Sequence, residues 1–228
     1  MGRRSEQTSV PREPGRAEVV AALERIQVAL AQRGLLLLQD AELPAATTLI
    51  LGEVVRGSWW AHPQNKLVYD TLGQLDAEVL WVKLVRGKVT LVARSLWPPL
   101  LSTARSREAW QLQGLSAAGR RLLELVDAAP APLRLDQVTL PAAADAPREL
   151  ARQLEQRLLV HASDVHTESG RHVKVLESWA HWQLLHGPIE LPAPADGRAM
   201  LEAAVVDWPK PRLPWQAPRR TRGPSARE

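Results

Sequence analysis

The stretch "VLWVKLVRGKVTLVAR", residues 79–94, contains two runs of β-branched and aliphatic side chains separated by Arg86-Gly87. Glycine supplies the positive φ that a tight turn needs, so these residues predict a β-hairpin. Pairing of Val85 with Lys88 predicts one wholly apolar face, formed by Leu80, Val82, Leu84, Val89, Leu91 and Ala93. A slip of one residue in the register would mix this face with the polar one, so we expect the register to be strongly specified.

The opposite face of this hairpin is predicted to combine cations with one indole, namely Lys83, Arg86, Lys88 and Arg94 with Trp81. Cations contact phosphate, and an aromatic ring can stack on a sugar or a base. A helix over about 64–75 followed by the hairpin resembles the second half of a winged-helix arrangement. An ordinary solvated sheet face explains the same alternation of lysine and threonine, and the sequence leaves both interpretations open.

The composition narrows the class of protein. Of the 228 residues, 45% are apolar and 24% are charged, as in a soluble globular protein. The absence of cysteine excludes disulfides, thiolate metal sites and cysteine nucleophiles. The N-terminus lacks the apolar core of a secretory signal, and the longest aliphatic run, "LLLL" at 35–38, is far shorter than a membrane span. We therefore expect a cytoplasmic protein with no membrane partner.

The basic residues are concentrated at the two ends of the chain. Residues 1–16 carry a net +2 and residues 209–228 a net +5, which leaves −3 for residues 17–208 of the total of +4. Both ends are rich in charge and proline, so we expect a disordered leader at 1–16 and a disordered basic tail at 209–228. In the tail, Arg219 and Arg220 are expected to add non-specific affinity for nucleic acid by counterion release.

Helical spacing and capping residues organise the rest of the chain. A helix is predicted from Ala17 to Gln32 with Gly34 as its stop, and Ser116 is predicted to cap a helix that runs to about Val126. The segment "ELPAATTLILGE", 42–53, fits either a short helix or a strand. These elements predict a winged-helix-like domain over 17–128.

The second half is predicted to be helical. The Pro- and Ala-rich stretch 129–146 is expected to be a linker, with a short strand near Leu133 as an option. Helices are expected from Pro147 to about Val165 and over roughly 171–186, so that 147–208 forms a helical hairpin region packed on the first domain. The predicted fold class is therefore α+β and mostly helical. The sequence shows no internal repeat.

The stretch "GSWWAHPQNKLVYDTL", 57–72, places two adjacent tryptophans ahead of a helix. Adjacent residues of a helix or strand point in different directions, so we expect one of Trp59 and Trp60 to anchor the core and the other to lie at the surface or in a cleft. A surface ring that stacks on a base contributes about 1–3 kcal/mol. His62 and Pro63 at the helix start add exposed N–H donors that suit a phosphate.

Five of the six histidines lie in "HASDVHTESGRHVKVLESWAHWQLLH", 161–186. Only Glu177 and His181 have the spacing of a helical metal-ligand pair, so neither a metal nor another cofactor is predicted. The turn "HTESG", 166–170, suits capping, but Glu168 and His166 could also serve as acid and base, with His62 as a third candidate catalytic residue.

Three stretches together resemble an uncharacterised bacterial family that is associated with AlkZ-related winged-helix DNA glycosylases. They are "RGSWWAHP" (56–63), "VKLVRGKVTLVARSLWPPLL" (82–101) and "LLVHASDVHTESGRHVKVLESW" (158–179). The resemblance spans about 45–185 and implies a nucleic-acid-binding or DNA-repair role. The glycosylase catalytic motif has no counterpart in this chain, so the resemblance assigns no catalytic residue.

These observations favour a protein that binds nucleic acid, with DNA as the first expectation, through the basic hairpin and an exposed tryptophan. One alternative is a glycosylase-like hydrolase in which Glu168 or Glu177 converges with His62 or His166 in a cleft. Another is a non-catalytic interaction protein with an exposed patch around Trp179 and Trp182.

Overall fold

The chain is described here by a computed structural model that covers residues 13–75, 78–140, 146–166 and 171–216. Its helices are α1 (Arg16–Arg33), α2 (Ala46–Leu51), α3 (Asn65–Gly73), α4 (Trp97–Arg105), α5 (Ala109–Leu112), α6 (Ala117–Ala128), α7 (Pro147–Gln156), α8 (Trp179–His186) and α9 (Pro194–Ala203). Its strands are β1 (Leu35–Leu37), β2 (Val79–Lys83), β3 (Val89–Ala93), β4 (Leu133–Arg134), β5 (His161–His166) and β6 (His172–Glu177). The predicted α+β, mostly helical class is confirmed.

Two three-stranded antiparallel sheets organise the two halves of the molecule. The first has the order β1-β3-β2 and the second the order β4-β6-β5, so in each the last strand lies in the middle. The first half runs α1–β1–α2–α3–β2–β3, and the second runs α6–β4–α7–β5–β6. The halves therefore share a strand order that the sequence does not show as a repeat.

Several helix ends lie where the glycine and serine residues of the sequence predicted them. The α1 helix stops where Gly34 adopts a left-handed conformation (φ 73°) and donates its N–H to Leu30 O. Ser116 Oγ accepts the Gly119 N–H and caps α6, as predicted. The segment that the sequence left undecided forms a helix, α2.

The hairpin forms at the predicted turn, but its register differs by one residue from the prediction. Arg86 (φ 54°) and Gly87 (φ 66°) occupy the turn, and the Lys88 N–H bonds to Val85 O at 3.0 Å. Leu84, however, has helical dihedrals (φ −97°, ψ −65°) and interrupts the first strand like a β-bulge, so that Lys83 pairs with Val89. Because of this single extra residue, the side chains of β2 that were predicted to share a face with Val89, Leu91 and Ala93 lie on the opposite face of the sheet.

Both faces of the first sheet are consequently covered. Val79 and Leu91 pack into a cluster with α1, α2 and α3, while Leu80, Val82 and Val92 pack on the other side against α4, α8 and α9. The third strand, β1, was not predicted; it comes from the "LLL" run at 35–37 and is buried on every residue. The predicted division into one core face and one solvated basic face is therefore wrong.

The expected helical C-terminal part contains a second sheet instead. The predicted helix that begins at Pro147 ends at Gln156, and Leu158 has a positive φ of 53°. Strands β5 and β6 then replace the rest of both predicted helices, and only residues 179–186 of the second one are helical. Alternating Val173 and Val175 are buried, a period-two pattern typical of a strand.

Residues expected to be a linker and a disordered tail join the core where they are described. Leu135 lies in the cluster that also contains α6 and α7. Beyond α9, the chain to residue 216 packs on the core, with Leu213 only 1% exposed and Trp215 against Trp110 of α5. At the hairpin tip, the Arg86 N–H bonds to Arg212 O at 2.7 Å. The start of the predicted tail is thus a strap across the hairpin tip, which we call the C-terminal strap (209–216).

Candidate functional site

The cations of the hairpin are engaged by protein groups. Lys83 Nζ lies 2.5 Å from Oε2 of the buried Glu155, and Lys88 Nζ lies 2.7 Å from Oδ2 of the buried Asp40. The Arg86 guanidinium contacts Glu42 and the backbone carbonyls of Pro209 and Lys210. Lys83 and Arg86 are largely covered, whereas Lys88 is half exposed, so the prediction that the three side chains form one outward phosphate-binding face is wrong.

The remaining two hairpin residues are placed differently from each other. Trp81 is partly buried, and its Nε1 is a buried donor with no hydrogen-bond partner among the described residues, so its ring is not a free stacking surface. Arg94 is exposed, and its guanidinium lies 5.3 Å from the centroid of the Trp97 ring in a cation–π contact.

Asp40 explains why Lys88 is held. Burial raises the pKa of Asp40, but hydrogen bonds from Lys88 and from the backbone N–H groups of Glu42 and Leu43 outweigh burial and keep the pKa below its usual value. The carboxylate is therefore ionised near neutral pH, and it compensates the charge of Lys88, whose side chain stays half exposed.

The tryptophan pair forms a stack instead of pointing in different directions. Both residues lie in the 3-10 turn Trp59–Ala61, where the ring centroids are 3.9 Å apart and the planes differ by 25°. Trp59 is buried against the α1–α3 cluster, whereas Trp60 is 57% exposed. One ring anchors the other, so the prediction of one core ring and one surface ring is confirmed, although the predicted divergence of the rings is wrong.

Tyr69 on α3 extends this exposed aromatic surface. Its ring centroid lies 6.0 Å from that of Trp60, and the side chain is also 57% exposed. The Asn65 amide donates to Trp60 O at 2.7 Å and fixes the turn to the start of α3. Nearby, Lys66 is paired with Asp70 and Glu13. We call Trp60, Asn65 and Tyr69 the α3 aromatic surface.

Two candidate catalytic residues, His62 and His166, belong to different halves of the molecule. His62 bonds to Glu53 at 3.0 Å, next to the tryptophan stack in the first half. The backbone of His166 is the last position of β5 in the second half, paired with His172. Glu168, like Arg219 and Arg220, lies outside the described residues.

A cavity of about 780 Å³ lies between the two sheets. Its lining includes residues 79–83 of β2 and residues 161–164 of β5 in unbroken succession. Successive side chains of a strand point to opposite faces, so a cavity that meets all of them must lie along the strand's edge. Strands β2 and β5 are both edge strands of their sheets, and the cavity separates these two edges.

Charged side chains from both halves meet in this cavity. Glu155 on α7 contacts Lys83 through one oxygen and Lys174 through the other, the latter at 3.0 Å. The contact between Lys174 and Glu155 does not have hydrogen-bond geometry, so it is an ion pair without a hydrogen bond. Asp164, which is more exposed, lies 3.5 Å from Lys174. We call Lys83, Glu155 and Lys174 the lysine–glutamate cluster.

A second polar group and an aromatic wall complete the lining. Glu177 contacts His161 at 3.4 Å and His181 at 2.5 Å. Burial raises the pKa of Glu177, but its hydrogen bonds with both histidines outweigh burial and hold the pKa below its usual value. Beside them, His186 stacks on Trp182 with ring centroids 3.7 Å apart.

The tryptophans of α8 belong to the core. Trp179 and Trp182 are 1% and 3% exposed, and the Trp179 indole donates to Leu158 O at 2.8 Å. The exposed Trp179–Trp182 patch, which would have favoured an interaction protein, is therefore not present. Sequence reasoning missed Glu155, Lys174 and His161 as cavity residues, although the alternation of Val173 and Val175 could have indicated the strand that carries Lys174.

Comparison with known proteins adds no family to this geometry. The chain matches no protein-family model, no curated protein and no solved structure. Within the described ranges, no cluster of three or more histidine or acidic side chains is arranged to hold a metal ion. No helix in that same part of the chain combines the length and the apolar character needed to cross a bilayer.

Proposed function

We propose that the protein binds nucleic acid through the α3 aromatic surface and prefers strands with unpaired bases. The observation that carries this proposal is the exposed Trp60 ring, which is held by the buried Trp59 beneath it and lies beside Tyr69. A ring fixed in this way loses little conformational entropy on stacking, and every base presents a flat face to it.

The order of the elements supports the same assignment. A helix, a strand, two helices and a hairpin, with the first strand beside the last, is the winged-helix order, and the first half of the chain follows it. In helix-turn-helix proteins the second helix of the pair faces the nucleic acid, and α3 holds that place here. The second half repeats the strand order but has one α-helix, α7, where the first half has α2 and α3, so we propose that it is a shortened unit of the same kind.

The hairpin has a different role in this proposal from the one a wing usually has. Its tip is covered by the C-terminal strap, and its lysines are paired with buried carboxylates. These carboxylates balance the charge of the two lysines, so net attraction to the phosphate backbone depends on other cations, and Arg219 and Arg220 remain candidates for it through counterion release. DNA is the first expectation, and a role in DNA repair follows from the resemblance in sequence.

Fluorescence anisotropy with labelled single-stranded and double-stranded oligonucleotides tests the proposal. We expect Trp60→Ala to weaken single-strand binding by a factor of about 5 to 150, the equivalent of about 1–3 kcal/mol per stacked base. Trp60→Phe keeps a ring and should lose less. Leu184→Ala, another exposed apolar residue, on α8, is the matched control and should bind like the unmodified protein. Unchanged binding by Trp60→Ala would rule out the α3 aromatic surface as the contact.

A truncation after residue 216 separates the contribution of the tail. The removed residues 217–228 contain four arginines and one glutamate. If these arginines neutralise phosphates of a single strand, the slope of log Kd against log salt should fall by about 0.7 for each phosphate that the truncated chain no longer neutralises. An identical slope would assign the electrostatic contribution to residues 1–216.

A further inference from the structure

The cavity between the sheets has the size and walls of a ligand site that nucleic-acid binding does not use. Its volume of about 780 Å³ is within the range of small-molecule sites. One wall is aromatic and already fixed by packing, because Trp97 and Trp182 are buried and meet edge to face at 5.3 Å. His186 stacks on the same indole and extends the wall toward solvent.

The polar side of the cavity has spare hydrogen-bond donors. An ammonium group carries three N–H bonds, yet Lys83 has one ion-pair partner among the described residues and Lys174 has two. Glu155 and the more exposed Asp164 together balance the two lysine charges, so it is the unused N–H bonds of Lys83 and Lys174, and not a net positive charge, that favour an anionic group here. The other buried carboxylate, Glu177, already contacts two imidazoles.

We propose that this cavity binds a small molecule that has an aromatic body and a single anionic group. The ring lies against Trp97 and Trp182, and the anion accepts hydrogen bonds from Lys83 and Lys174. Because Lys83 belongs to β2 and Lys174 to β6, the bound molecule links the two halves of the chain. This site does not depend on the α3 aromatic surface, so it can exist whether or not the protein binds nucleic acid.

Isothermal titration calorimetry of the full chain with 2-naphthoate and 2-naphthamide tests the aromatic and the anionic requirement together. The two probes share a ring system and differ in charge. We expect 2-naphthoate to bind with one-to-one stoichiometry and 2-naphthamide to bind about tenfold more weakly or worse, the factor that corresponds to one charge-assisted hydrogen bond. Equal affinities, or no saturable binding of 2-naphthoate, would overturn the proposal.

Variants locate the binding in the cavity. The double variant Lys83→Met/Glu155→Gln removes a cation together with its buried partner, so that no uncompensated carboxylate remains. We expect it to lose about tenfold in affinity for 2-naphthoate while 2-naphthamide is unaffected. Arg121→Met, which removes an exposed cation on α6, is the control and should leave both affinities unchanged.

A second variant, Trp97→Phe, keeps the proposal testable if the double variant does not fold. Trp97→Phe keeps the lysines and shortens the aromatic wall, so 2-naphthoate and 2-naphthamide should both bind more weakly while their ratio is preserved. Far-ultraviolet circular dichroism of each variant checks that the helices are intact. If both folded variants bind 2-naphthoate as the unmodified protein does, the anion binds elsewhere and the cavity is not its site.

Discussion

Replacing Glu155 by glutamine tests how strongly the lysine–glutamate cluster joins the two halves of the molecule. The carboxylate of α7 contacts Lys83 from the first sheet and Lys174 from the second, and its side chain is 7% exposed. Glutamine keeps the shape of the side chain but removes its charge. Two ammonium groups then lie on either side of a neutral amide, without the carboxylate that separated them.

The magnitude follows from the two ion contacts and the exposure of the lysines. Removing one partner of a buried ion pair costs about 3–5 kcal/mol, and Glu155 is the partner that two such contacts share. Lys83 and Lys174 keep 22% and 21% of their side-chain exposure, so water recovers part of the loss. We expect Glu155→Gln to lower the free energy of unfolding by about 3 kcal/mol, in the range for breaking a buried pair.

Urea unfolding followed by circular dichroism measures this loss. With a slope of about 2 kcal/mol per molar urea, the midpoint should fall by about 1.5 M. Glu124→Gln on α6 is the control, because Glu124 pairs with Arg121 at the surface, and its midpoint should not move. The triple variant Lys83→Met/Glu155→Leu/Lys174→Met should recover most of the stability. A Glu155→Gln midpoint equal to that of Glu124→Gln would refute the reasoning.

Three further predictions concern stability. Asp40 and Glu177 have lowered pKa values in the folded protein. Their contribution to the free energy of unfolding is present above about pH 4, the usual pKa of unfolded carboxylates, and is lost as the pH falls through the folded pKa values. Asp40→Asn should therefore flatten the acid limb of a stability–pH curve. Ser116→Ala removes the cap of α6 and should cost about 1 kcal/mol in urea unfolding. Leu213→Ala should cost about 2–5 kcal/mol, because the side chain anchors the C-terminal strap in the core.

Each of these predictions has a matched comparison. An acid limb as steep in Asp40→Asn as in the unmodified protein would show that Asp40 does not take up a proton on unfolding. Ser116→Asp keeps an oxygen acceptor at the cap and should retain the stability that alanine loses. Leu185→Ala, exposed on α8, should leave the midpoint in place, and a similar loss in both leucine variants would contradict the anchoring role of Leu213.

Some features of the candidate site could be predicted from the sequence and others could not. The exposed tryptophan was expected, because adjacent rings were assigned one to the core and one to the surface. The stack of Trp60 on Trp59 was not expected, because a 3-10 turn brings the rings together in a way that neither a helix nor a strand does. The lysines were correctly placed on the hairpin, but their partners Asp40 and Glu155 lie 48 and 72 positions away along the chain.

The sequence by itself determined what depends on a few neighbouring residues. The glycine stop of α1, the serine cap of α6, the start of α7 at Pro147 and the turn at Arg86-Gly87 all follow from local φ preferences and hydrogen bonds. These preferences act over one turn of chain, so the residues that carry them are visible side by side in the sequence.

Only the tertiary structure decided which surfaces face water. The bulge at Leu84 shifted the hairpin register, β1 covered one edge of the sheet, and helices from both halves buried its two faces. Each of these outcomes depends on packing between segments far apart in sequence, where the gain from burying apolar area outweighs local pattern. The physical consequence is that the cations predicted to share one solvated face are separated, because Lys83 lines the cavity between the two sheets, Lys88 pairs with Asp40 and Arg94 lies over the Trp97 ring.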